Sequence, residues 1–249
     1  MSDFIVYKGL HKAFGRKEVL KGVDLSIPKG ETVVVLGGSG SGKSVLLRHT
    51  IGLHRPDSGE VWVDGVEISS YSEDDLMPIR TKIGMLFQGC ALFDSMNVFE
   101  NIAFSLREHT QMTEQEVAGR VREVLDLVEL SGVEDLAPSD LSGGMKKRVA
   151  LARAIALAPQ GILYDEPTTG LDPITAGAIN TLIRDLQSAL NVTSVVVTHD
   201  IKSAFSVGDR IAFLHDGRLS FVGTMDEARR TTDARLREFL HGGATVGIE

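Results

Sequence analysis

The run Gly37-Gly38-Ser39-Gly40-Ser41-Gly42-Lys43-Ser44 stands between an apolar stretch and a segment of helical texture. Glycines there let successive backbone N–H groups converge on phosphate oxygens, and a helix behind them points its positive end at the same anion. Lys43 can then reach the outer phosphates of a nucleotide, and the Ser44 hydroxyl is a hard oxygen suited to Mg2+. A second feature closes the run Ile162-Leu163-Tyr164 with two carboxylates, Asp165 and Glu166. Taken alone, an acidic pair at a strand end is usually the solvated start of a loop. Beside a phosphate loop it reads differently: Asp165 would orient Mg2+ through water, and Glu166 would polarise the water that attacks a γ-phosphate. A third feature, Leu141-Ser142-Gly143-Gly144-Met145, precedes a helix whose apolar positions include Val149, Ala150, Ala154 and Ile155. Ser142 is a good N-cap and the glycines would let a phosphate approach the helix end, although any capped helix gives this pattern.

Such residues need elements to hold them. Val33-Val34-Val35-Leu36, just before the glycines, reads as a buried strand, and Lys43 to Gly52 as a helix with a glycine stop. Val23, Leu25 and Ile27 alternate with polar residues as a half-exposed strand does, and Val61 and Val63 lead to an Asp64-Gly65 turn. Residues 94–158 change to helical texture. Val117, Val121, Val124, Leu125 and Val128 share one helical face there. Ile162-Leu163-Tyr164 and Ser194-Val195-Val196-Val197 then read as buried parallel strands. Ile211, Phe213, Leu219, Phe221 and Val222 flank an Asp216-Gly217 hairpin turn, a polar helix follows from about Met225 to Leu240, and a short fraying tail begins at Gly242.

Composition sets limits. A length of 249 residues, 43% of them hydrophobic and 24% charged, suits one large packed domain or one domain with a sizeable insertion and excludes a disordered chain. A formal charge of −8 argues against a protein that coats nucleic acid. The single cysteine, Cys90, rules out an internal disulfide, suits reducing surroundings and reads as a structural thiol. No stretch approaches the roughly 20 apolar residues that cross a bilayer, so work at a membrane would use a spanning partner. Lys146-Lys147-Arg148 and Glu73-Asp74-Asp75 read as solvated helix surfaces.

In order and spacing, the phosphate loop, Gln88, Leu141 to Met145, Asp165-Glu166, Gly170-Leu171-Asp172 and His199 resemble the nucleotide-binding subunits of ABC transporters, over residues 4–222. The resemblance implies ATP as substrate and Mg2+ as cofactor. It implies that Phe14 stacks on adenine, that Gly37, Gly38, Ser39, Gly40, Ser41, Gly42, Lys43 and Ser44 hold the phosphates, and that Gln88 touches Mg2+ and senses the nucleotide. Ser44, Gln88 and Asp165 would serve the metal. Glu166 would be the catalytic carboxylate, with His199 on the γ-phosphate. Two copies would sandwich two ATP molecules, with Ser142, Gly143, Gly144 and Asp172 of each chain reaching the nucleotide of the other.

The implied fold is α/β: a P-loop NTPase core of ABC ATPase type, about 1–93 and 159–223, with an antiparallel β portion, an inserted helical subdomain at about 94–158, and a C-terminal helix and tail at about 224–249. The signature of the family usually ends in glutamine where this chain has Met145. That departure, with Phe87-Gln88-Gly89-Cys90-Ala91-Leu92-Phe93-Asp94-Ser95, is similar to the Mla or Mce type of lipid-transport ATPase. A multispanning permease, a periplasmic lipid-binding component and a cytoplasmic position on the inner membrane through the permease follow as expectations. Phe93 would line a groove for a cytoplasmic helix of that permease or else fill the core of the helical subdomain. A non-transport ABC ATPase, such as an iron-sulfur assembly scaffold, is the alternative.

Overall fold

The computed structural model describes residues 2–242, so the tail expected to fray lies outside the described residues except for Gly242. Two compact units divide the chain, Met1–Leu76 with Val195–Glu249, and Met77–Ser194. The first opens with β1 (Asp3–Phe14), β2 (Lys17–Pro28), β3 (Thr32–Leu36), α1 (Lys43–His49), β4 (Ser58–Val63) and β5 (Val66–Glu67). Four of these strands form an antiparallel sheet in the order β2-β1-β4-β5. Along β2, buried Val23, Leu25 and Ile27 alternate with exposed Asp24 and Ser26, as the period-two pattern requires. β3 is buried at every position. Asp64 and Gly65, at φ 49° and 79°, supply the two left-handed residues of a tight hairpin between β4 and β5. α1 stops at His49, short of Gly52, because Thr50 N–H donates to Leu47 O and tightens the last turn.

α2 (Glu73–Arg80) spans the boundary at Leu76. The second unit then contains β6 (Ile83–Leu86), α3 (Val98–His109), α4 (Glu114–Leu127), a 3-10 turn (Pro138–Asp140), α5 (Gly143–Ile155), β7 (Gly161–Asp165) and α6 (Pro173–Leu190). Capping boxes fix the starts of α3 (Asn97 with Glu100) and α4 (Thr113 with Glu116). Val117, Val121, Val124, Leu125 and Val128 are all fully buried, and α3, α4 and α5 pack on one another. β6 and β7 are parallel, with Ile83 opposite Gly161 and Leu86 opposite Tyr164. α5 lies on β6 at Gly84, where a Cβ would stand 2.2 Å from Ala154 O. Gly84→Ala is therefore expected to cost about 1–3 kcal/mol by overpacking, lowering the melting midpoint by about 2–4 °C per kcal/mol. A variant that melts with the wild type in calorimetry would show that α5 can move off β6.

β8 (Thr193–Thr198) begins in the second unit and ends in the first, followed by α7 (Ile201–Val207), β9 (Arg210–His215), β10 (Arg218–Thr224), α8 (Met225–Arg229) and α9 (Ala234–Leu240). β9 pairs parallel with β3 and antiparallel with β10, turning at Asp216 and Gly217. Parallel strands, an antiparallel sheet and a helical run give the expected mixed α/β class. The single polar helix expected over 225–240 is instead two. Thr224 caps α8 and Asp233 caps α9, whose Leu236 N–H donates to Asp233 Oδ1 at 2.7 Å. Thr231, Thr232 and Asp233 favour caps over helix interiors, which breaks the run. Among the described residues no helix is long and apolar enough to cross a membrane.

Candidate functional site

In the first unit the phosphate loop leaves the buried end of β3 and enters α1. Gly37 N–H donates to Thr198 O at 3.3 Å, which ties the loop to the end of β8, one residue before exposed His199. A Cβ on Gly37 would lie 2.3 Å from Leu214 O, so only glycine fits there. Gly40 and Gly42 have φ of 75° and 107°, a region that glycine enters without steric cost. Lys43 is buried, and its Nζ donates to Gly37 O and Gly38 O, each at 2.9 Å. The ammonium is thus ordered against the loop's own carbonyls. α1 has no side-chain N-cap and no acidic residue in its first turn, whereas Asn97, Thr113, Ser142, Asp172 and Asp200 cap later helices. Ser41 Oγ is buried with no hydrogen-bond partner. These features suit an anion cradle. Phe14, at the end of β1, is 46% exposed. His54 stands edge-on at 5.3 Å between ring centroids, and Lys12 Nζ lies 5.6 Å from the Phe14 ring.

The second unit holds the carboxylates. Asp165 ends β7 and is buried, and Glu166 follows with φ of 50° and 8% exposure. A non-glycine residue in that conformation is strained, and such strain concentrates at functional positions. Thr169 Oγ1 donates to Glu166 Oε2 at 3.2 Å. Ser142 caps α5, its Oγ accepting from Met145 N–H at 3.3 Å. Asp172 caps α6, accepting from the N–H groups of Ile174 and Thr175 and from the Thr175 hydroxyl. The Thr175 hydroxyl first, with the backbone donors, holds the Asp172 carboxyl below its ordinary pKa. A Cβ on Gly144 would lie 2.7 Å from the Thr175 methyl. The structure therefore brings the Ser142-Gly143-Gly144 helix start and Asp172 together through Thr175, a residue that the sequence pattern did not single out.

Gln88 is exposed in the loop after β6. The basic triplet beside the signature departs from the solvated surface expected of it. Lys147 is 4% exposed, and Arg148 donates to Val128 O at 2.6 Å and Glu129 Oε2 at 2.9 Å. Helical rotation turns adjacent residues to different faces, which a charge count does not register.

The family model for ABC transporters matches residues 20–169. The chain belongs to that family and is its ATPase subunit. A probable ribonucleotide transport ATP-binding protein, mkl of Mycobacterium leprae, is 44% identical over 242 residues, covering 97% of this chain and 70% of that one. The intermembrane phospholipid transport system ATP-binding protein MlaF of Escherichia coli K12 is 43% identical over 228 residues, covering 92% and 85%. Among solved structures, a dimeric post-hydrolysis state of the ATP-binding cassette MJ0796 bound to ADP and Pi aligns with TM-score 0.82 and 36% identity, covering 89% of this chain and 98% of that one. CbiO1 of Clostridium perfringens, part of the cbiONQ ABC transporter complex, aligns with TM-score 0.84 and 30% identity, covering 96% of each.

Proposed function

We propose that this ATPase subunit powers a phospholipid transporter between membranes, working as an ATP-bound homodimer beneath a multispanning permease with a periplasmic lipid-binding component. It would sit in the cytoplasm against the inner membrane. The observation that carries the cargo is the signature ending in Met145 together with residues 87–95, supported by identity with MlaF over most of both chains. The name of mkl favours a second reading, a ribonucleotide cargo, at similar identity.

In the proposed reaction Phe14 stacks on adenine, residues 37–44 hold the phosphates, Glu166 takes a proton from the attacking water, and His199 contacts the γ-phosphate. Ser142, Gly143, Gly144 and Asp172 would meet the nucleotide of the opposite chain. Ser44, Gln88 and Asp165 offer hydroxyl, amide and carboxylate oxygens, the hard donor set Mg2+ prefers, with no sulfur or imidazole among them. Bound there, Mg2+ would neutralise charge on the β- and γ-phosphates. The helical segment 94–158 would face the permease.

Phe93 is 44% exposed and packs, with its ring tilted, 5.4 Å from that of half-exposed Phe104, so it is not a core residue of the second unit. Buried Asn101 holds its loop, accepting from Phe93 N–H and donating to Phe93 O, Met96 O and Asn97 O. Phe93→Asp is expected to abolish co-purification with a multispanning protein from detergent-solubilised membranes, while the isolated subunit melts within a few degrees of wild type. The wild-type complex should carry phospholipid by mass spectrometry. A ribonucleotide other than ATP or ADP in its place would favour the second reading, and recovery of no membrane protein would overturn both.

A further inference from the structure

Lys147 lies in α5 five residues after Ser142, about 7 Å along the helix axis. Its Nζ donates to Gln88 O at 2.6 Å, and from the same helix Arg153 donates to Cys90 O at 2.8 Å and Ala91 O at 2.7 Å. The loop those two cations hold contains consecutive left-handed non-glycine residues, Cys90 at φ 63° and Ala91 at φ 50°. Such a bend persists only where surrounding contacts impose it. Burial pushes the Lys147 ammonium below its ordinary pKa, and Cys90, Asp165 and Glu166 draw it back. All of these groups belong to the second unit, so α5 carries the signature serine at its start and grips the Gln88 loop along its length.

We infer that Lys147 is a positioning residue for ATP hydrolysis, fixing the Gln88 main chain to the helix that begins at Ser142. The inference rests on the ATPase reading and on the role of Gln88 in it. Gln88 is exposed and its side-chain amide makes no hydrogen bond among the described residues, whereas its carbonyl is anchored by a buried cation. Movement of α5 at the Ser142 end would therefore carry the Gln88 carbonyl with it.

Steady-state ATPase assays, ATP-binding measurements and melting curves on the full chain test this. Lys147→Met keeps the length and helix propensity of the side chain and removes its donor. Turnover is expected to fall about tenfold, with ATP affinity within about twofold of wild type and the melting point nearly unchanged. Lys147→Gln, which retains an N–H donor without the charge, should recover most of that loss. Gln88→Ala combined with Lys147→Met should be no slower than Gln88→Ala alone, because both act through one group. Full turnover in Lys147→Met beside an impaired Gln88→Ala would overturn the inference and leave the reading of Gln88 intact. Normal turnover in Gln88→Ala would instead remove the role of Gln88. Parallel losses of melting point, affinity and turnover in both Lys147 variants would make it a packing residue and overturn the inference.

Discussion

Glu166→Gln is expected to reduce ATP turnover by about 100-fold or more while ATP affinity stays within about twofold of wild type. The substitution keeps the side-chain volume, and Thr169 Oγ1 can still donate to the amide oxygen as it now does to Glu166 Oε2. What disappears is a group that can accept a proton from water. The strained backbone at Glu166 is the same in both proteins, so no large change in stability should accompany the loss. Lys43→Ala provides the contrast. It removes the cation ordered against Gly37 O and Gly38 O, and with it the charge for the outer phosphates, so binding itself should fail. Phosphate release at the wild-type rate from Glu166→Gln would sink the assignment of Glu166 as the base. Failure of the glutamine variant to bind ATP would show instead that the carboxylate shapes the pocket.

The phosphate loop was legible because its chemistry leaves a local trace. Glycines at positions 37, 38, 40 and 42, a lysine and a serine follow one another within a single turn, and three of the glycines answer to a backbone demand: contact with Leu214 O at Gly37, left-handed φ at Gly40 and Gly42. Buried strands β3 and β7 were legible for a similar reason, since unbroken apolar runs leave few alternatives. The paths of Lys147 and Arg153 were not. A lysine next to two other basic residues looks solvated until a helix turns it inward, and its partner is a main-chain carbonyl 59 positions earlier that no side-chain pattern marks. The break between α8 and α9 hid in three cap-forming residues within an otherwise helical composition. Thr175 was missed because its work is contact, a methyl group against Gly144 and a hydroxyl against Asp172.

The arrangement of the signature leads to the second large effect. Ser142 caps α5 from an exposed position, with glycines behind it and Asp172 close through Thr175. On the proposed reading that exposed helix end would meet the phosphate of a nucleotide bound to a second chain, and MJ0796, a solved relative with ADP and Pi, is a dimer. Ser142→Arg puts a bulky cation at that end. Loss of the cap should cost about 1 kcal/mol of stability, and the cation at a helix N-terminus a few tenths more, so the chain should still fold and bind ATP at its own loop. Turnover should nevertheless fall by about 100-fold, the scale of losing one preorganised donor to a transferring group. Mixing decides whether that donor acts across the dimer. Lys43→Ala and Ser142→Arg chains should each be nearly inactive alone, yet under the trans geometry a heterodimer of the two would contain one site with an intact loop from one chain and an intact Ser142 from the other. Activity should therefore reappear on mixing. If each site drew on a single chain, every site in the mixture would carry a lesion, and a mixture as inactive as its parents would refute the trans geometry.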